Sequence, residues 1–217
     1  RKGVHMNGII DFIKRLFFPE APKPVKKVAK KAVPVKPAPL PYLADLKKVI
    51  LHRGANETRF NELVKEFEKN AVVYKVTTKL RIAHFWAQMA HETGGFRWFE
   101  ELGGESYFSK YDGRRDLGNT QPGDGYRFKG RGIIHLTGRH NYGEFGKKIG
   151  VDLLKNPEKA AEPAIAILVA LEYWTDRDLN KYADADNLKR ITKRINGGFN
   201  GLRDRENYLN KIKKLDK

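Results

Sequence analysis

Four glutamates lie at and just beyond the end of one predicted helix. Small, aromatic and aliphatic residues recur at helical spacing from about residue 78 to residue 93, and Glu92 stands at the end of this run, before a glycine pair. Glu100, Glu101 and Glu105 follow shortly afterwards. The reversal at the glycines could bring a later carboxylate back toward Glu92.

Such a pair of carboxyl groups suits the hydrolysis of glycosidic bonds. A carboxyl group at an apolar helix end has a raised pKa and stays protonated, as a general acid must, whereas a carboxylate on a wetter loop stays ionised and activates water. Inverting glycosidases hold the two groups about 6.5–9.5 Å apart. Glu92 and Glu101 could fill these roles. Alternatively, the later glutamates are solvated charges, since the chain has 26 acidic residues and close pairs arise by chance.

Other chemistries have weaker support. His91 and Glu92 begin like a zinc-protease helix, but Gly95 stands where the second histidine is needed. His84 and His91 share a predicted helix face, without a complete ligand motif. The chain has no cysteine and no Gly-x-Ser-x-Gly segment, which argues against thiol and serine nucleophiles. We therefore expect neither a metal nor a cofactor.

Helical periodicity dominates the part of the chain that must position these groups. We predict one globular, mainly helical domain over residues 42–217. Residues 103–132 are rich in glycine and aromatic residues, and they predict either a long functional loop or a small hairpin. Helices are predicted around 43–50, 60–67, 78–93, 141–149, 160–177, 186–196 and 203–215.

The preceding residues have a different composition. Residues 1–41 contain 10 basic and 2 acidic side chains, a large share of the net charge of +17. Residues 19–41 hold seven of the ten prolines and predict an extended Pro/Lys/Ala linker. Within 1–18, Arg1–His5 are interpreted as a cloning remnant before the initiator Met6. A short basic amphipathic helix then follows, which would lie on a membrane surface or dock on a protein.

Residues 90–96 read Ala-His-Glu-Thr-Gly-Gly-Phe. This segment resembles the catalytic helix end of glycoside hydrolase family 19, which contains chitinases and lysozyme-like endolysins of bacteriophages. The resemblance spans roughly residues 80–208, and we place the chain in the endolysin branch. Further blocks occur in the family's order at 111–114, 117–125, 126–139, 141–142, 195–198, 200–201 and 204–205.

The resemblance implies a mainly helical α+β lysozyme-like fold with a cleft between two lobes. It implies that Glu92 is the general acid, Glu101 the general base, and Thr137 the residue that holds the attacking water. Glu100 is the competing candidate for the base, because it is adjacent to Glu101. Substrate contacts or electrostatic support would come from Tyr126, Arg131, His135, Asn141, Asn196 and Arg205. His135 stands where the family usually has glutamine, so its contact with sugar is in question.

The expected activity is inverting hydrolysis of β-1,4 bonds in bacterial peptidoglycan, leading to host cell lysis. The net charge favours an anionic wall over neutral chitin, although a chitinase is the alternative. A basic nucleic-acid-binding protein is the rival from another class, but the body carries no recognisable nucleic-acid-binding motif. The expected partners are glycan strands and, through the leader, an anionic outer-membrane or lipid surface. We expect a monomer with no specific nucleic-acid target.

The expected location follows from the same interpretation. We find no classical signal peptide and no apolar run of about 18 or more residues. The protein would be made in the host cytoplasm, reach the periplasmic wall through a phage holin and act there.

Overall fold

The structure is a computed structural model that describes residues 40–216. The predicted leader helix within 1–18 and nearly all of the 19–41 linker lie outside the described residues. Ten α-helices occur in the described part of the chain, separated by turns and short 3-10 helices. They are α1 Leu46–Ile50, α2 Glu57–Asn70, α3 Lys79–Glu92, α4 Glu105–Phe108, α5 Asp124–Arg127, α6 Arg139–Ile149, α7 Pro163–Asp176, α8 Leu179–Asp184, α9 Leu188–Asn196 and α10 Leu202–Lys213.

Side-chain caps mark the start of three of these helices. Asn56, Thr78 and Asn187 precede α2, α3 and α9, and each accepts a hydrogen bond from a backbone N–H three residues further on. These caps satisfy N–H groups that have no partner inside a helix. α7 begins instead with Pro163, whose missing N–H costs nothing at that position.

α3 is the buried central helix that carries the first carboxylate. Residues 82–90 are all buried, and α10 packs along this helix. Aromatic rings fill the adjoining core: the ring of Phe60 lies 4.8 Å from that of Phe96, and Phe85 lies 5.5 Å from Trp174. Contacts on all sides fix the axis of α3 and hence the direction in which its last residues point.

The segment from 103 to 132 forms helical turns, so the hairpin alternative is wrong. It contains α4, α5 and the 3-10 helices Ser109–Tyr111 and Arg115–Leu117. The carboxylate of Asp112 accepts hydrogen bonds from the Gly123 and Gly125 N–H groups at 2.9 and 2.7 Å. Buried Asp124 pairs with Arg139 at 2.6 Å. Carboxylates within this segment therefore stabilise it, whereas a hairpin would be stabilised by backbone hydrogen bonds between strands.

The prediction of a mainly helical domain is confirmed. Within residues 40–216 the β component is limited to two isolated antiparallel bridges, Glu100 with Arg131 and Arg131 with Leu136. None of the helices in this part of the chain is long and apolar enough to cross a bilayer.

Candidate active site

A tight turn ends α3 directly after Glu92. The Thr93 hydroxyl donates to the Met89 carbonyl at 2.7 Å and accepts from the Phe96 N–H at 2.9 Å. Gly95 has a φ of +72°, and a Cβ there would lie 2.9 Å from the side chain of His52. Only glycine fits this positive φ and close approach without strain. The turn leaves Glu92 at the end of a rigid helix.

Glu92 is held by an arginine from the far end of the domain. Arg205 is fully buried on α10 and donates to the Glu92 carboxylate at 2.6 Å and to the side chain of Gln88. Asp204 contacts His91 Nδ1 at 2.7 Å, so consecutive residues of α10 hold consecutive residues of α3. The expectation that Glu92 lies in apolar surroundings is wrong, because Arg205 provides a buried cation.

Glu101 is the carboxyl group with the buried environment. It is 4% exposed, and its Oε2 accepts from the Gly130 N–H at 3.1 Å while the Tyr111 hydroxyl donates to Oε1 over 3.4 Å. Burial raises the pKa of Glu101, and the Gly130 amide and the charge of Lys110 oppose this effect. The expectation of a wetter loop at this position is wrong.

Glu100 lies in the more exposed environment. Its side chain is 43% exposed, and Oε2 is 3.3 Å from Lys129 Nζ and 3.5 Å from Arg131 Nε. The two adjacent glutamates therefore differ in kind: Glu100 is a partly solvated ion-pair member, and Glu101 points inward. The interpretation as a solvated loop charge fits Glu100 and does not fit Glu101.

Three polar atoms converge on Gly130. A Cβ at this position would lie 3.2 Å from His135 Nδ1, 3.2 Å from Thr137 Oγ1 and 3.3 Å from Glu101 Oε2. Glu101 is brought there by its backbone N–H, which donates to the Gly130 carbonyl at 2.8 Å. Thr137 donates its hydroxyl proton to the His135 carbonyl at 2.8 Å, so its oxygen lone pairs can accept a proton from water.

His135 lies beside Glu101 and is influenced by the charge of Glu92. Its backbone φ is +50°, its side chain is 4% exposed, and neither ring nitrogen hydrogen-bonds to a residue in the described part of the chain. Burial lowers the pKa of His135, while the charge of Glu92 and the nearby Trp98 backbone favour the protonated ring. Both nitrogens of His135 are thus buried beside Glu101 and under the influence of the charge of Glu92.

The two asparagines occupy different positions relative to this group. Asn141 Nδ2 donates to the Thr137 carbonyl at 2.8 Å, so Asn141 supports the residue predicted to hold water. Asn196 ends α9, is 3% exposed, and its Oδ1 has no hydrogen-bond partner within residues 40–216. A buried amide oxygen without a partner is costly, which favours a ligand at this position.

Arg131 and Tyr126 lie on the Glu100 side. Arg131 Nη1 donates to the Arg127 carbonyl at 2.8 Å and to the Tyr142 hydroxyl at 3.1 Å. Tyr126 is 37% exposed and lines the same surface pocket as Arg131. Arg131 is therefore mainly a structural cation, while Tyr126 presents an accessible ring.

Sequence reasoning missed several neighbours of these residues. Tyr111 donates a hydrogen bond to Glu101, and Gln88 accepts one from Arg205. Gln88 could have been found because it lies one helical turn before Glu92. Trp86 is fully buried, whereas Trp98 is 44% exposed. Phe199 is 53% exposed beside the Asn196 turn.

Comparison with known proteins identifies the family. Residues 60–193 match the family of class I chitinases, glycoside hydrolase family 19. A Haemophilus influenzae protein described as containing a family 19 domain is 33% identical over 156 residues, covering 58% of this chain and 76% of that protein. An Arabidopsis thaliana endochitinase is 36% identical over 151 residues, covering 65% of this chain but only 51% of that enzyme.

The fold matches solved structures of the same kind. Chitinase C from Streptomyces griseus superposes with a TM-score of 0.64 at 23% identity, covering 81% of this chain and 93% of that one. The chain belongs to glycoside hydrolase family 19 and is a chitinase-like glycoside hydrolase.

Proposed function

We propose that the protein is an endolysin that hydrolyses β-1,4 bonds of bacterial peptidoglycan with inversion. The observation that carries the proposal is the group of Glu101, Thr137 and His135 around Gly130, with Glu92 acting on the same histidine. These residues supply a general acid, a general base and a hydroxyl for the attacking water. The roles come from the family resemblance, and the contacts support them.

Glu101 is suited to act as the base. Burial raises the pKa of Glu101 and so makes its carboxylate a stronger proton acceptor, while the Gly130 N–H holds it in one orientation. A water molecule between Glu101 and the Thr137 oxygen would be oriented by both groups. Proton transfer to Glu101 would accompany attack of this water on the anomeric carbon.

The family resemblance assigns to Glu92 the protonation of the leaving oxygen. Once it has given up its proton, Glu92 is a carboxylate 2.6 Å from the Arg205 guanidinium. Arg205 is fixed by packing and by Gln88, so it stabilises this product charge without rearrangement. Neutral His135 and the free Oδ1 of Asn196 offer a donor and acceptors to the N-acetyl groups of the sugar.

Net charge favours peptidoglycan as the substrate. The chain carries +17, and peptidoglycan bears carboxylates on its peptide stems whereas chitin is neutral. Similarity to the Arabidopsis endochitinase favours chitin as the second candidate. The chain spans about half of that enzyme, so the similarity does not decide between the two polymers.

The test compares the two substrates directly. Purified Gram-negative sacculi and soluble chito-oligomers are incubated with the parent protein and with Glu92→Gln. We expect soluble muropeptides whose new reducing ends mass spectrometry identifies, and an α-anomeric first product by NMR. Glu92→Gln should lose at least about 100-fold of the activity. Efficient cleavage of chito-oligomers with intact sacculi would make the protein a chitinase.

A further inference from the structure

The outer face of α9 is a row of exposed cations, which we name the α9 row. The helix reads Leu-Lys-Arg-Ile-Thr-Lys-Arg-Ile-Asn and contains no acidic residue. Its isoleucines are buried, and the helix packs on α8 and α10. The row consists of Lys189, Arg190, Lys193 and Arg194.

Neighbouring carboxylates are committed elsewhere. Asp184 pairs with Arg81, Asp178 pairs with Lys181, and Asp186 contacts both His84 and Lys213. No carboxylate among residues 40–216 forms an ion pair with any member of the α9 row. The row therefore presents concentrated positive charge to solvent, which attracts a multivalent anion.

The α9 row lies on the helix that ends at Asn196, which the family resemblance assigns to substrate binding. Arg194 Nε donates to the Arg177 carbonyl at 3.0 Å, and the Arg177 guanidinium lies 3.4 Å from the centre of the Tyr173 ring. Tyr173 is buried, and its hydroxyl donates to the Ile195 carbonyl of α9 at 3.2 Å. Asn196 ends α9, and its buried Oδ1 has no hydrogen-bond partner in the described part of the chain. A polymer bound at Asn196 would continue along a helix about 13 Å long.

We propose that the α9 row binds the peptide-stem carboxylates of the peptidoglycan strand that occupies the active site. This inference rests on the proposed function. A glycan strand held at Asn196 carries its stems beyond the site, where the cations lie. Nucleic acid offers phosphates to the same row, but it lacks the N-acetylated sugars that Asn196 at the end of α9 is proposed to bind. The position of the row therefore favours a glycan strand.

Binding of the full-length chain to purified Gram-negative sacculi tests the proposal. The row variant is Lys189→Gln, Arg190→Gln and Lys193→Gln. The control variant, Lys65→Gln, Lys147→Gln and Lys155→Gln, makes the same change of net charge at exposed positions away from α8, α9 and α10. All proteins also carry Glu92→Gln so that the sacculi stay intact, and equal thermal midpoints confirm that the variants fold.

We expect the row variant to bind sacculi about tenfold more weakly at about 0.1 M salt and the control variant to bind like the parent. Amidation of the stem carboxylates should abolish the difference between the two variants. Equal binding of both variants to untreated sacculi overturns the inference. Loss of DNA binding by the row variant with unchanged sacculus binding also overturns it and assigns the row to nucleic acid.

The two proposals fail in different ways. Cleavage of sacculi by the protein with Glu92 intact tests the proposed function, and the row variant's binding defect tests the α9 row. If sacculi are cleaved but both variants bind equally, only the α9 row is wrong. If sacculi are not cleaved, the peptidoglycan function fails, and any carboxylate-dependent binding is not substrate binding.

Discussion

Glu100 and Glu101 are adjacent in sequence but lie in opposite environments. Glu101 lies beside Thr137 and His135, whereas Glu100 is partly solvated between Lys129 and Arg131. We expect Glu101→Gln to lose at least about 100-fold in kcat, because only Glu101 can accept the proton of a water held at Thr137. Glu100→Gln should stay within about tenfold of the parent. Release of reducing ends measures both, and a collapse of Glu100→Gln alone would reverse the assignment.

Buried Glu101 should also lower stability at neutral pH. Because burial raises the pKa of Glu101, the folded state binds more protons than the unfolded state, and stability falls as pH rises from about 4.5 through the raised pKa. Glu101→Gln removes this pH-dependent loss of stability. Urea denaturation should show the variant gaining stability relative to the parent between pH 4 and pH 8. A pH-independent difference would contradict the assignment of a raised pKa.

Substitution of Gly130 tests the geometry of the site without removing any polar group. An alanine Cβ would press on His135, Thr137 and Glu101 at 3.2 to 3.3 Å, and the backbone φ of Gly130 is ordinary. We expect Gly130→Ala to fold but to lose about 10- to 100-fold in kcat, because small misplacements of catalytic groups are costly. Gly143→Ala, whose Cβ would meet Leu154 no closer than 3.5 Å, is the control. Full activity of Gly130→Ala would show that catalysis does not depend on the close approach of these three groups.

At the same scale, the sequence names candidate catalytic residues but does not show what surrounds them. Glu92, Glu101 and Thr137 could be named from the motif. The burial of Glu101 could not be predicted, because it depends on Tyr111 and Gly130. The resemblance assigned electrostatic support to Arg205, but sequence alone did not show that it pairs with Glu92. Such contacts join segments far apart in the chain, and helical periodicity carries no information about them.

At the scale of elements, two side-chain contacts hold the ends of α3 and α10 together. One is the buried pair of Glu92 with Arg205, and the other is the more exposed pair of His91 with Asp204. We expect Arg205→Met to lower the free energy of unfolding by about 3–5 kcal/mol, because it leaves a buried carboxylate without its cation. Asp204→Asn should cost less than about 1 kcal/mol. Urea denaturation compares the two, and equal losses would contradict the distinction.

The long helices were predictable and the loop region was not. α2, α3, α9 and α10 follow a 3.6-residue apolar repeat, which sequence shows directly, whereas α7 is an almost continuous apolar run. Residues 103–132 have no such repeat, and their short helices depend on Asp112 and Asp124 bonding to backbone N–H groups. Turn residues alone do not distinguish this arrangement from a hairpin.

At the scale of the whole molecule, charge is divided between the leader and the body. Residues 1–41 carry 10 of the 43 basic side chains and only 2 of the 26 acidic ones. We propose that the leader directs the protein to an anionic envelope surface and that the body acts on the wall. The two parts should therefore respond differently to deletion.

Deletion of residues 1–39 removes this charge and keeps Leu40, which packs against the core. We expect the shortened protein to cleave purified sacculi within about twofold of the parent. It should bind intact Gram-negative cells at least about tenfold more weakly, because each basic residue near an anionic surface contributes to binding. Cosedimentation with cells and reducing-end release measure the two effects. Unchanged binding to cells would leave the leader without a targeting role.

The ion pair between Glu92 and Arg205 also has a consequence for synthesis. The two residues are 113 positions apart, and chains emerge from the ribosome N-terminus first. A nascent chain that ends within α9 already contains both glutamates, but the cation that faces Glu92 has not been made. The order of translation therefore makes Arg205 the last of these site residues to be synthesised.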